Sequence, residues 1–183
     1  MLEKMILAGF GGQGIMFLGK LLCYAYMHED KHVTYIPSYG AEMRGGTANC
    51  AVQLSDHVIA SPLVAQATAN IVMNQPSYEK FRNRVAKGGK LYVNNSLVEV
   101  KEPPKDTTLR EIPATDMANE MGDVRMANMI MLGAMIHDRN FLPIDTIKQR
   151  LSEKFLFGRK AKFLEPNVDA LRKGFDYAKE NWN

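Results

Sequence analysis

The sequence is poor in cysteine. Its two cysteines, Cys23 and Cys50, lie far apart and form no Cys-x-x-Cys pair. Two cysteines cannot ligate a four-cysteine iron–sulfur cluster or a four-cysteine zinc site within one chain, and such sparse use is typical of a reducing compartment. We predict that both are small buried apolar side chains.

Long hydrophobic runs are also missing. The most apolar stretch, residues 126–136, is much shorter than the roughly 20 residues that a bilayer-spanning helix requires. No charged segment followed by a long apolar core begins the sequence, so a secretory signal is not expected. We therefore predict a cytoplasmic protein that makes no membrane contact.

Neither an excess of charge nor a catalytic motif is present. The chain has 23 Lys and Arg against 20 Asp and Glu, a net charge of +3, which is too small to imply a nucleic-acid partner. The four histidines are scattered without His-x-x-x-His spacing, and no Gly-x-Ser-x-Gly elbow occurs. The sequence thus predicts no catalytic residue and no metal ligand of its own.

The pattern of apolar residues predicts one α/β domain over residues 1–183. Strand-like runs alternate with helix-like runs, which favours a Rossmann-like, mostly parallel sheet flanked by helices. We expect a local irregularity around residues 37–54, since no crossover helix fits there, and a helical C-terminal part from Thr115. The predicted strands are 4–8, 32–36, 47–54, 70–73, 90–94 and 110–113; the predicted helices are 15–28, a short one after Pro62, 77–86, 115–121, 125–138, 144–155 and 167–181.

A glycine turn follows the first predicted strand. Gly9, Gly11 and Gly14 fit Gly-x-Gly-x-x-Gly directly before an apolar helical stretch. A strand, a glycine turn and a helix start bring backbone N–H groups close to a phosphate. Nicotinamide binding is disfavoured, because no Asp or Glu stands at the tip of the second strand to hold the ribose.

A second phosphate motif can be excluded. Residues 14–20 have the spacing of a Walker A motif, but Leu21 stands where the metal-binding Ser or Thr would be. The intervening residues are apolar and helical. We predict instead that Gly19 allows close helix packing.

Polar and small residues gather in four predicted loops, at residues 9–14, 37–46, 74–77 and 94–96. Ligands of open parallel sheets bind beyond the carboxyl ends of the strands, so these loops predict one binding edge. Arg44 can hold a phosphate or a carboxylate through two hydrogen bonds. The candidate binding residues are Gly9, Gly11, Gly12, Gln13, Gly14, Ser38, Tyr39, Glu42, Arg44, Gly45, Gly46, Asn74 and Gln75.

Three motifs together resemble a known family. They are residues 9–14, Gly-Phe-Gly-Gly-Gln-Gly; residues 37–50, Pro-Ser-Tyr-Gly-Ala-Glu-Met-Arg-Gly-Gly-Thr-Ala-Asn-Cys; and residues 73–77, Met-Asn-Gln-Pro-Ser. The chain resembles the gamma subunit of 2-oxoacid:ferredoxin (acceptor) oxidoreductases, and residues 43–50 resemble the 2-oxoglutarate branch most. Ala41 departs from the proline of many relatives, which costs the loop some stiffness.

The resemblance implies a subunit of a larger enzyme. That enzyme converts a 2-oxo acid and coenzyme A to acyl-CoA and carbon dioxide, and it reduces ferredoxin or flavodoxin. Thiamine diphosphate and iron–sulfur clusters would belong to partner alpha, beta and ferredoxin-like delta subunits, with no cofactor held by this chain alone. The gamma subunit is then expected to help shape the coenzyme A side of the site.

Alternatives stay open at the level of sequence. The chain can instead be a stand-alone nucleotide-binding or dinucleotide-binding regulator, a scaffold whose glycine turn binds nothing, or a subunit of the pyruvate or another 2-oxo acid branch. An exposed apolar face would also allow the isolated chain to form a homodimer.

Overall fold

A computed structural model of the chain describes residues 1–39 and 47–182, the side chain of Tyr39 excepted. The described residues form two units, Met1–Pro113 and Ala114–Asn183. The first unit contains the sheet, and the second is helical.

The first unit is built on a six-stranded sheet of order β2-β3-β1-β4-β5-β6. Strand β3 pairs antiparallel with both β1 and β2, whereas the pairs β1–β4, β4–β5 and β5–β6 are parallel. The predicted mostly parallel sheet and its irregularity around residues 37–54 are confirmed. The strands are β1, Leu2–Phe10; β2, His32–Tyr39; β3, Thr47–Ser55; β4, Ala67–Val72; β5, Val85–Asn94; and β6, Thr108–Ile112.

Helices cover both faces of this sheet. Helix α1 (Ile15–Met27) contacts β1, β2 and β3, while α2 (Gln75–Phe81) contacts β1 and β4. In β1, Ile6 and Ala8 join the core cluster that contains Tyr78 of α2. Alternate residues of a strand point to opposite faces, so Leu7 lies on the other face. Burial on both faces explains why β1 reads as a continuous apolar run.

Helix α1 approaches the sheet closely at Gly19. A Cβ atom there would lie 2.6 Å from Cys50 Sγ and 2.9 Å from Tyr35 Cε2. Any larger residue would push the helix off β2 and β3. The predicted packing role of Gly19 is therefore confirmed.

Two predicted helical regions differ in the structure. Residues 56–66 contain no helix, so the short helix after Pro62 is wrong. The helix expected over 77–86 ends at Phe81 and is followed by one tight turn, because Val85 already pairs with Ala67 in the sheet. Gly88, with φ +76°, lies in the irregular part of β5 and not at a helix end.

The second unit consists of α3 (Ala114–Glu120), α4 (Ala127–Arg139), α5 (Ile144–Arg150) and α6 (Leu164–Asn181). Helix α4 is buried from Ala127 through Ile136, as its apolar sequence predicts. Its Gly133 crosses α6 so closely that an added Cβ would overlap the carbonyl oxygen of Leu171. Gly174 of α6 meets the carbonyl oxygen of Ile130 in the same way.

Across residues 1–39 and 47–182, no helix combines the length and the apolar character needed to span a membrane.

Candidate functional site

The carboxyl ends of five strands share one edge of the sheet. Gly9 near the end of β1 pairs with Ala48 at the start of β3, and Ala48 pairs with Tyr39 at the end of β2. Strands β4, β5 and β6 run parallel to β1 and end at the same edge. The glycine turn and the loops after β4 and β5 therefore lie along one edge of the sheet, and binding at this edge stays a prediction.

The glycine turn is shaped by its backbone. Gln13 N donates to Phe10 O at 3.2 Å, and Gly12 and Gly14 have φ of +99° and +74°. Side chains are strained at such angles, so these positions favour glycine. Gly11 and Gly12 are exposed, and no described residue other than the chain neighbours lies within 4 Å of a Cβ built on either.

The side chain of Gln13 holds the turn against the rest of the sheet. Its Oε1 accepts hydrogen bonds from Phe10 N at 2.7 Å and from Asn74 Nδ2 at 3.0 Å, while its Nε2 donates to Met73 O at 3.3 Å. A Cβ on Gly9 would lie 2.6 Å from this same Oε1. Gly9 therefore leaves the room that Gln13 occupies.

Two asparagines extend this network. Asn74 Oδ1 accepts a hydrogen bond from Ser77 N at 3.0 Å and so caps α2, and Asn94 Nδ2 donates to Met73 O at 3.2 Å. Both side chains are buried. The amides of Gln13 and Asn74, predicted as ligand-binding groups, thus join the loops of the edge to one another.

The other predicted residues are placed as follows. Gln75 Oε1 accepts from Glu99 N at 2.9 Å, and its Nε2 donates to Glu79 Oε1 at 3.3 Å. Ser38 is exposed on the edge strand β2. Glu42, Arg44, Gly45 and Gly46 lie outside the described residues, so their predicted roles stay predictions.

A cavity of about 290 Å³ opens beside the glycine turn. Its floor is glycine backbone and the start of α1, whose first turn contains no acidic residue. The amino end of a helix carries partial positive charge, which favours an anionic group. Its remaining walls are apolar, a feature that the sequence reasoning missed, although Phe10 and residues 15–17 lie within or directly after the first motif and Ala48 lies within the second. The lining residues are Phe10, Gly11, Gly12, Gly14, Ile15, Met16, Phe17 and Ala48.

The two cysteines, Cys23 and Cys50, are buried and unreactive thiols. Cys50 Sγ lies 3.6 Å from Ile15 O, and Cys23 Sγ lies 3.6 Å from Thr34 O. Burial raises the pKa of both thiols to about 12, and the Cys23 thiol adds a further rise to the pKa of Cys50. Both are buried, as predicted from the sequence, and neither is poised as a nucleophile.

No group of three or more His, Cys, Asp or Glu side chains suited to a metal ion occurs within the described part of the chain. The edge offers backbone donors, a helix terminus and apolar walls. Such an arrangement binds and orients a ligand or a neighbouring protein, and proton transfer would need groups from elsewhere.

Comparison with known proteins places these features in context. Residues 4–177 match the family described as pyruvate ferredoxin/flavodoxin oxidoreductase. The chain is 34% identical to the ketoisovalerate oxidoreductase subunit VorA of Methanothermobacter thermautotrophicus over 96% of its own length, but it spans only 36% of that protein. It is 32% identical to the 2-oxoglutarate synthase subunit KorC of Methanocaldococcus jannaschii, covering 98% of this chain and 96% of that one.

Solved structures agree with the sequence comparison. The gamma subunit of a keto/oxoacid ferredoxin oxidoreductase from Geobacter sulfurreducens superposes with a TM-score of 0.82 at 26% identity, covering 97% of this chain and 99% of that one. The 2-oxoglutarate:ferredoxin oxidoreductase of Magnetococcus marinus, solved with 2-oxoglutarate, coenzyme A and succinyl-CoA bound, gives 0.89 at 27% identity over 98% of this chain and 31% of that one.

Proposed function

Because this chain belongs to the pyruvate ferredoxin/flavodoxin oxidoreductase family, we propose that it is the gamma subunit of an enzyme that oxidises a 2-oxo acid with coenzyme A. The resemblance to gamma subunits that the motifs indicated is confirmed, and the similar proteins are themselves subunits of 2-oxoacid oxidoreductases. The chain spans about a third of the VorA protein that it matches, so the activity of the whole enzyme is part of the proposal.

The proposed substrate is 2-oxoglutarate. Support comes from the near-complete overlap with KorC and from the motif at residues 43–50. The similarity to VorA makes ketoisovalerate the competing substrate. Purification of the complete enzyme and measurement of kcat/KM for 2-oxoglutarate, ketoisovalerate and pyruvate would decide, and a higher value for either of the last two would contradict the assignment.

We propose a division of labour within the enzyme. Partner alpha, beta and ferredoxin-like delta subunits hold thiamine diphosphate and the iron–sulfur clusters, and thiamine diphosphate supplies the chemistry that cleaves the 2-oxo acid. This chain contributes binding and assembly surfaces. The predictions of a cytoplasmic location and of a homodimer of the isolated chain stay predictions.

The observation that carries the local proposal is the open glycine turn beside a cavity at the start of α1. Among the described residues, no side chain other than those of the chain neighbours lies within 4 Å of a Cβ built on Gly11 or Gly12, and the first turn of α1 contains no carboxylate to repel an anion. We propose that a phosphate of coenzyme A meets this turn and that its apolar portion lies along Phe10 and Met16. Arg44, on the connection between β2 and β3, is proposed to add a guanidinium at the same edge.

A charge placed at Gly11 tests this proposal in the assembled enzyme. Gly11 has no positive φ, and no described residue other than the chain neighbours lies within 4 Å of a Cβ built there, so a side chain fits among the described residues without strain. Gly11→Asp should raise the KM for coenzyme A about tenfold with kcat little changed, whereas the isosteric neutral variant Gly11→Asn should raise it less. An unchanged KM in both variants with normal assembly would remove coenzyme A from this turn, and failed assembly in both would assign the turn to a partner subunit.

Arg44→Ala supplies an independent test. Loss of a guanidinium that holds a phosphate should raise the KM for coenzyme A about tenfold or more. If subunit assembly and the KM are both unchanged, Arg44 has no part in the site.

A further inference from the structure

A strongly basic and exposed segment lies between α5 and α6. Residues 154–163, here called the basic turn, contain Lys154, Arg159, Lys160 and Lys162 and no Asp or Glu. Every residue from 157 to 162 is exposed, and Phe157 is 63% exposed. The whole chain carries a net charge of only +3, so this segment is a local concentration of positive charge.

The basic turn is fixed at both ends. Leu156, almost buried, donates its N–H to Leu151 O at 2.7 Å, and Asn167 Nδ2 donates to Phe163 O at 2.8 Å. Within the turn, Lys160 N donates to Phe157 O at 3.1 Å. A surface that is held in shape before a partner arrives loses less conformational entropy on binding.

Three of its cations lack an ionic partner among the described residues. The structure records no ion pair between Arg159, Lys160 or Lys162 and another described residue. Of the flanking carboxylates, Glu153 pairs with Arg150, and Glu165 lies in the first turn of α6.

Other surface cations behave differently. Lys31, Arg82 and Lys173, for example, each pair with a carboxylate at 2.8–2.9 Å. Like charges crowded on one short turn repel one another, and carboxylates brought by a partner would relieve that repulsion.

The size and chemistry of the surface favour a partner that binds reversibly. Lysine is depleted at the buried centre of stable interfaces, whereas contacts between electron-transfer proteins are small and depend on charge. The exposed ring of Phe157 offers a small apolar contact, and the surrounding cations attract an acidic protein from a distance. A nucleic acid would gain little binding affinity from a single short turn on a chain of nearly balanced charge.

We propose that the basic turn docks the acidic protein that accepts electrons from the enzyme. This inference rests on the proposed function, since it is the oxidoreductase that needs such an acceptor. Carboxylates of the acceptor pair with Arg159, Lys160 and Lys162, and an apolar group covers Phe157.

The test compares two variants of equal charge change in the complete enzyme. One is the triple variant R159E/K160E/K162E, and the matched control is K105E/R172E/K179E, whose residues are exposed elsewhere. The probes are an acidic ferredoxin and the small acceptor methyl viologen. At low ionic strength the triple variant should raise the KM for ferredoxin about tenfold or more, with viologen reduction unchanged and the control close to wild type.

Two further results are expected. The difference between the triple variant and the wild type should shrink at about 0.15 M salt, because exposed charges are then screened. Phe157→Ser should raise the KM for ferredoxin at both ionic strengths, since the loss of an apolar contact depends little on salt.

Other outcomes would overturn the proposal. These are an unchanged KM in the triple variant, equal effects in both variants, or failure of only the triple variant to assemble, which would make the turn a subunit interface. Binding of single-stranded DNA that the triple variant abolishes, with ferredoxin kinetics unchanged, would assign it to nucleic acid. Absence of viologen reduction by the wild-type enzyme with every 2-oxo acid would instead refute the proposed function.

Discussion

At the scale of single residues, Gln13 joins the glycine turn to the loop after β4. Gln13→Ala would leave Phe10 N, Asn74 Nδ2 and Met73 O without this partner. Met73 O keeps the hydrogen bond from Asn94 Nδ2, but the partly buried Phe10 N and Asn74 Nδ2 lose this acceptor. Because an unpaired buried polar group costs about 1–3 kcal/mol, we expect the free energy of unfolding to fall toward the lower end of that range. Urea unfolding followed by circular dichroism measures it.

Gln75→Ala serves as the control for that experiment. The amide of Gln75 also makes two hydrogen bonds, but both are exposed to solvent. Water replaces such bonds readily, and we expect a loss below about 1 kcal/mol. Equal losses in the two variants would show that Gln13 has no special role in holding the turn.

The two cysteines give a prediction about reactivity and pH. With a pKa of about 12, only about one thiol in ten thousand is ionised at pH 8, and both side chains are buried. We expect iodoacetamide to modify neither Cys23 nor Cys50 in the folded chain, and to modify both in urea. Rapid alkylation of the native sample, detected by mass spectrometry, would contradict the prediction.

The same pKa shift predicts an alkaline loss of stability. In the unfolded chain the thiols ionise near pH 8.5–9, whereas in the folded chain they stay protonated up to about pH 12. A raised folded pKa stabilises the fold below the unfolded pKa, and this contribution disappears as pH rises through that interval. The free energy of unfolding should therefore fall above about pH 9, and less steeply in Cys50→Ala measured against its own value at pH 7.

The sequence predicted which residues lie at the candidate site better than it predicted what each of them does there. The need for glycine at Gly12 and Gly14 follows from local turn chemistry, which a motif reports. The engagement of Gln13 with Asn74 and Met73 does not, because these partners lie some 60 residues away along the chain. The sequence did not predict the basic turn as a binding surface, because exposure and the lack of ion pairs are properties of the folded surface.

At the scale of elements, the crossing of α4 and α6 depends on two glycines. Gly133→Ala would place a methyl group on the carbonyl oxygen of Leu171, so the helices must separate. Overpacking of this kind costs about 1–3 kcal/mol or more, which outweighs the helix propensity that alanine gains. Thermal unfolding should show a lower Tm, and Gly174→Ala should act alike.

An exposed position on α6 provides the comparison. Arg172→Ala changes a solvent-facing residue and should alter the free energy of unfolding by no more than about 0.5 kcal/mol. If Gly133→Ala were as mild as Arg172→Ala, the close crossing would be refuted.

Helices and strands with a strong hydrophobic pattern could be predicted from the sequence, whereas the ends of elements that depend on strand pairing could not. The lack of room for a crossover helix predicted an irregularity where β3 pairs antiparallel, and the apolar sequence of α4 predicted a buried helix. The sequence did not predict that α2 ends at Phe81, because Val85 belongs to the sheet, where it pairs with Ala67. Residues 56–66 have helix-compatible composition but no amphipathic repeat long enough to hold a helix.

At the scale of the whole molecule, the chain is expected to be inactive alone. It has two cysteines, both buried, so it cannot supply four thiolates to a cluster. We expect the purified chain to show no 2-oxo acid oxidation with methyl viologen, and activity to appear when the partner subunits are added. Turnover by this chain alone would contradict the proposed division of labour.

The position of β1 within the sheet has a consequence for synthesis on the ribosome. Its two neighbours are β3 and β4, which end at Ser55 and Val72, while the strand next in the chain, β2, lies one place further out. Strand β1 therefore has no partner until β3 has been translated through Ser55, and its other edge stays unpaired until β4 has been translated through Val72. During that interval a nascent chain is exposed to aggregation, which makes this segment a natural client for a chaperone.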